Sequence, residues 1–164
     1  TLGTPPVDLR EFVVPLFDGL DVQLLREEKL ELDMGRGRRL VVMGMDCTHD
    51  IAHDAASLER MMVGASAEIP HILLYHSPEL MPQAVDHQLD LYLCGHTHGG
   101  QVRLPGIGPL LTSSQLGRRY VMGEYIEERT HLYVSRGVGF EGLSAPRVRF
   151  MAPPEVTAIT IRPA

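Results

Sequence analysis

The sequence predicts an α/β sandwich, and two observations carry that expectation. Three apolar runs of strand length, at 39–45, 72–75 and 91–94, have no polar face and read as strands buried on both sides. Segments with helical spacing lie between them, so strands and helices alternate along the chain.

The elements follow in order. Residues 1–15 hold three prolines and little periodicity, and they read as a loop leading in. Short strands are expected at 22–25 and 30–32, then a turn at Met34-Gly35-Arg36-Gly37-Arg38 before the buried run RLVVMGM. Asp50 is placed to cap a helix in which Ile51, Ala55, Leu58 and Met62 recur on one face. Pro70 closes that unit, and the run at 72–75 follows, flanked by His71 and His76. A short helix is expected at 79–88, with Pro82 in the first turn, where a missing N–H costs nothing. The run at 91–94 leads into Gly95 and a long loop rich in glycine and proline. Strands return at 120–126, 132–135 and 157–161.

A chain of 164 residues, 44% hydrophobic and 22% charged, is expected to form one compact domain with a real core. The formal charge of −6 argues against a scaffold for nucleic acid, which favours basic patches. It does not argue against a phosphate substrate, because a bound cation inverts the local field. Cys47 and Cys94 are too few for a disulfide framework and are read as reduced, buried residues. No apolar run reaches the roughly 18 residues that span a bilayer. The chain begins with Thr1 and carries no signal peptide, which reads as a cut or processed end.

The chemistry gathers at three histidines. The run at 72–75 ends at His76, a helix crosses over, and the run at 91–94 ends at Gly95-His96-Thr97-His98. So short a strand–helix–strand unit places its two strands parallel and as neighbours. Neighbouring strands lie about 5 Å apart, so His76, His96 and His98 are expected to converge at the carboxyl edge of the sheet. Three imidazoles beside a glycine-rich loop suit a transition metal, with bonds of about 2.0–2.1 Å for zinc. Gly95, Gly99 and Gly100 let the backbone turn tightly and approach a ligand.

LLYHSPEL followed by LYLCGHTHGGQVRLPGIGPL resembles the end of the active-site series in the calcineurin-like metallophosphoesterase superfamily. That series closes with a lone histidine after one strand and Gly-His-x-His after the next. The extended GHTHGGQ and the later YVSRGVG, PRVRF and PPEVTAITI are similar to a bacterial branch of membrane-associated or exported phosphoesterases, some of whose relatives cleave lipid-linked pyrophosphates. The resemblance covers about residues 20 to 163. It implies a metallophosphoesterase-type αββα sandwich, with residues 1–164 forming the C-terminal part of a single domain and 1–20 a poorly defined lead-in. It implies two divalent metal ions (manganese, zinc or iron) and a phosphate mono- or diester or pyrophosphate as substrate, lipid-linked in some relatives. His76 and His96 would ligate one metal and His98 the other, and His96 and His98 would be catalytic. The family's earlier Gly-Asp, Asp-x-His and Gly-Asn-His motifs are absent, and the chain has no Asn at all. The resemblance therefore implies a missing N-terminal half and an isolated chain that is inactive. It is compatible with a membrane-associated or a cytoplasmic protein. The alternatives are a non-catalytic module whose three histidines hold one zinc, and a piece that complements a separately encoded half.

Other residues invite a functional reading. Gln101 and Arg103 follow Gly99 and Gly100 and are candidates, with those glycines, for contact with phosphate. Arg136, Arg147 and Arg149 could recognise phosphate in bidentate fashion. Asp46 is a candidate for a supporting or substrate-facing role. His49 and His53 have a chelating spacing, but His49 precedes the helix cap and the shared face reads as polar and solvated.

Overall fold

In a computed structural model, the structure describes residues 10–140 and 148–162. The chain folds as a mixed α/β protein around one six-stranded sheet, ordered β1-β2-β3-β4-β8-β7. Its strands are β1 (Glu28–Asp33), β2 (Arg39–Gly44), β3 (His71–Leu74), β4 (Leu91–Cys94), β7 (Gly123–Glu127) and β8 (Thr130–Val134). A separate small hairpin pairs β5 (Arg103–Leu104) with β6 (Gly108–Pro109). The helices are α1 (Arg10–Val13), α2 (Ile51–Met62) and α3 (Met81–Asp86).

The three buried runs form the middle of the sheet. β2, β3, β4 and β8 are mutually parallel, while β1 and β7 close the edges antiparallel. Met43, Leu73, Tyr92 and Leu132 lie in register across the four parallel strands, and each is 0% exposed. Successive side chains alternate between faces, so this row defines the core side. α2 contributes Leu58 and Met61 to the same core, and α3 contributes Met81 and Ala84. Fully burying one such leucine or methionine stabilises by about 1.5–3 kcal/mol. The other face is less covered: Leu74 is exposed, and Leu91 and Leu93 are only half-buried.

Asp50 caps α2 as the sequence predicts, its carboxylate accepting from the His53 N–H at 3.1 Å. Several expectations need correction. Residues 22–25 and 157–161 are not strands: most of their apolar side chains are exposed, and among the described residues neither segment joins a sheet. The 79–88 segment splits into a 3-10 turn at Pro78–Leu80 and α3, and the lead-in contains α1 and a 3-10 turn at Val14–Phe17. β7 starts at Gly123 (φ +84°), later than the expected 120. Thr1–Leu9 and Arg147 lie outside the described residues. Cys47 and Cys94 are both free thiols, Cys94 buried and Cys47 half-buried.

Candidate functional site

The parallel ladder between β3 and β4 continues past both strand ends. The Tyr75 N–H donates to the Leu93 carbonyl at 3.3 Å, and the Gly95 N–H donates to the His76 carbonyl at 2.9 Å. The backbones of His76 and His96 are therefore held side by side. His96 Nδ1 lies 3.2 Å from His76 Nε2, with the ring centres 4.9 Å apart and the rings edge-on. Two nitrogens bound to one tetrahedral zinc at about 2.0–2.1 Å would be separated by about 3.3 Å. The pair thus has the spacing of two ligands on one cation, and its imidazole donors suit zinc or iron. Burial lowers the pKa of His76, and the neighbouring His96, His49 and His98 lower it further, against a smaller opposing pull from Glu79. His76 is accordingly kept as neutral imidazole, the form that ligates metal.

Thr97 anchors the turn between the other two histidines. It is 1% exposed, and its hydroxyl donates to the Val121 carbonyl at 2.6 Å. His96 and His98 flank it at φ values of +69° and +50°. Left-handed backbone at non-glycine residues is uncommon and costs energy, and such positions cluster at functional sites. His98 turns away from the pair toward Arg149, whose Nη2 is 2.9 Å from His98 Nδ1. Among the described residues, no group of three or more His, Cys, Asp or Glu side chains is arranged to hold a metal ion.

The residues after His98 pack inward. Gly99 (φ +66°) sits so close to Arg136, Ala152 and Met122 that an added Cβ would meet each within 3.1–3.3 Å. Gln101 is only 3% exposed, and Arg103 donates to the Gly99 carbonyl at 3.2 Å. Arg136 is engaged by Glu155 through Nε at 2.8 Å. Asp46 pairs with Arg26, whose Nε donates to it at 3.0 Å.

Sequence reasoning missed three contributors. His49, from the loop after β2, brings its ring centre within 6.1 Å of that of His96. The signal was the topology itself, since a third parallel strand beside β3 ends at the same edge. Asp54 follows Ile51 by three residues and precedes Leu58 by four, so it shares their helix face, and it is 1% exposed. It is a hub: Thr48 donates from its N–H at 3.0 Å and its hydroxyl at 2.5 Å, and the Tyr75 phenol donates at 2.6 Å. Glu79, 7% exposed, accepts from the Gln115 N–H at 3.0 Å. That contact fixes a loop whose Ser113 carbonyl stands 3.4 Å from His96 Nε2.

No protein-family model and no solved structure matches the chain. Curated proteins do. It is 38% identical over 119 residues, 66% of this chain and 40% of the relative, to YkuE of Bacillus subtilis (strain 168), named an uncharacterized metallophosphoesterase. It is 37% identical over 97 residues, 59% of this chain and 34% of the relative, to the phosphodiesterase YaeI of Escherichia coli (strain K12). A bovine protein named as a transmembrane protein with a metallophosphoesterase domain is 30% identical over 162 residues, 91% of this chain and 34% of that protein. The chain spans well under half the length of each. Among the described residues, no helix is long and apolar enough to cross a membrane. With relatives of this name and a His76–His96 pair at the sheet edge, the chain belongs to the calcineurin-like metallophosphoesterase superfamily.

Proposed function

We propose that this chain supplies the C-terminal histidine ligands of a phosphoesterase with two divalent metal ions, acting on a phosphate ester or pyrophosphate. The observation that carries the reading is the 3.2 Å approach of His96 Nδ1 to His76 Nε2, which matches two ligands of one metal. His98 would serve the second metal after parting from Arg149. Divalent metals held there would supply Lewis acidity toward the phosphoryl oxygens. The chain's own part is to hold these imidazoles fixed, with His76 kept neutral by burial and by its neighbouring histidines. The ladder at His76 and Gly95 sets the pair, Thr97 locks the turn, and the Glu79–Gln115 contact keeps the Ser113 loop beside His96.

A lipid-linked substrate and a separate N-terminal portion of the same domain are part of this proposal. The test is hydrolysis of bis(p-nitrophenyl) phosphate by the 164-residue chain with added manganese. Turnover is expected well below about 1 per second, metal-dependent, and lost in His76→Ala and His96→Ala. Hydrolysis indifferent to chelator and to both substitutions would refute the reading. Turnover at ordinary enzyme rates would refute the need for further ligands.

A further inference from the structure

We infer that His49 is a third imidazole of this site, a hydrogen-bond donor to the phosphate oxyanion bound beside His76 and His96. The inference rests on the phosphoester reading above. His49 stands at φ +65°, the same left-handed conformation adopted by His96 and His98. Both of its neighbours are tied down. Thr48 is held by Asp54 through its N–H and hydroxyl, and the Asp50 N–H donates back to the Thr48 hydroxyl at 3.2 Å. Asp50 in turn caps α2, and the Tyr75 phenol locks Asp54 to the strand end that carries His76. The chain therefore fixes the residues on either side of an exposed, unfavourably placed histidine and leaves its ring directed at the site.

The His49 ring reaches the pair. The ring centres of His49 and His96 are 6.1 Å apart and tilted by 50°. That is within the range of ring contact, so an exposed imidazole stands directly against the His76–His96 pair. Cys47 Sγ lies 3.9 Å from His49 Nδ1, which leaves Nε2 as the nitrogen to face the ligand.

The experiment titrates inorganic phosphate into the chain with ¹⁵N-labelled imidazoles, in zinc-loaded and metal-free forms. The His49 Nε2 resonance is expected to move with phosphate. His49→Ala should weaken phosphate binding about tenfold, the value of one hydrogen bond to a charged group, with zinc content unchanged. His49→Gln, which keeps a donor, should recover part of that loss. Thr48→Val should weaken phosphate binding with His49 still present. If His76→Ala keeps its zinc while His49→Ala loses phosphate, the metal assignment fails and the role of His49 stands. Phosphate binding within twofold of wild type in His49→Ala, or no phosphate binding by the wild-type chain in either form, overturns the inference.

Discussion

Arg149 Nη2 stands 2.9 Å from His98 Nδ1, and because a guanidinium can only donate, His98 must accept at that nitrogen. Neutral His98 then carries its proton on Nε2, and neither nitrogen is open to a metal. The same guanidinium donates to the Arg136 carbonyl at 2.7 Å and the Ala152 carbonyl at 3.2 Å. Arg149 thus ties the C-terminal segment to the site while occupying one of its histidines.

Arg149→Met should separate those two roles. Loss of the carbonyl contacts should lower stability by about 1–3 kcal/mol in urea unfolding. Release of His98 should raise zinc affinity several-fold in a calorimetric titration. Unchanged zinc affinity would show that Arg149 does not compete for His98.

Asp54 should make the fold sensitive to acid. Burial works to raise its pKa, but hydrogen bonds from Thr48, Tyr75 and His53 outweigh that and hold it below the usual 3.8. A carboxyl with a depressed folded pKa stabilises the protein above the unfolded value, and that stability is lost as pH falls through the folded pKa. Urea midpoints measured from pH 6 to pH 3 should fall more steeply in wild type than in Asp54→Asn. Tyr75→Phe should cost about 1–2 kcal/mol at pH 7 by removing one donor to the carboxylate. Parallel pH profiles for wild type and Asp54→Asn would contradict the assignment.

Gly100 and Gly37 have nearly the same backbone, at φ +75° and +72°, but different surroundings. A Cβ on Gly100 would lie 2.4 Å from Pro109 Cβ and 2.8 Å from the Leu111 carbonyl oxygen, whereas one on Gly37 meets nothing within 4 Å. Gly37→Ala should cost about 1–2 kcal/mol, the left-handed penalty alone. Gly100→Ala should cost about 2–5 kcal/mol, since overpacking adds about 1–3 kcal/mol. Equal losses in thermal or urea unfolding would mean that the Gly100 loop can move aside.

What the sequence made legible follows from periodicity. β2, β3, β4 and α2 announce themselves by apolar pattern, and a short crossover is enough to make β3 and β4 parallel neighbours, with His76 beside His96. Four things were not legible, for three different reasons. The short β5–β6 hairpin depends on glycine turns and buries little, so it leaves no apolar pattern. The apolar residues at 22–25 and 157–161 resemble strands, but they have no partner along the described sheet. The buried face of Asp54 depends on Tyr75, 21 residues away, and no local reading of a His-Asp helix start contains that contact. His49 was hidden likewise, because its place at the site depends on β2 pairing with β3 rather than on its spacing from His53.

The central claim is that His76 and His96 share one metal ion. Anomalous diffraction from crystals of the chain soaked in zinc, recorded on either side of the zinc absorption edge, tests it directly. The account predicts one anomalous peak about 2.0–2.1 Å from both His76 Nε2 and His96 Nδ1, absent in His76→Ala crystals. A peak on other residues, or none between these two nitrogens at full soak, would contradict it.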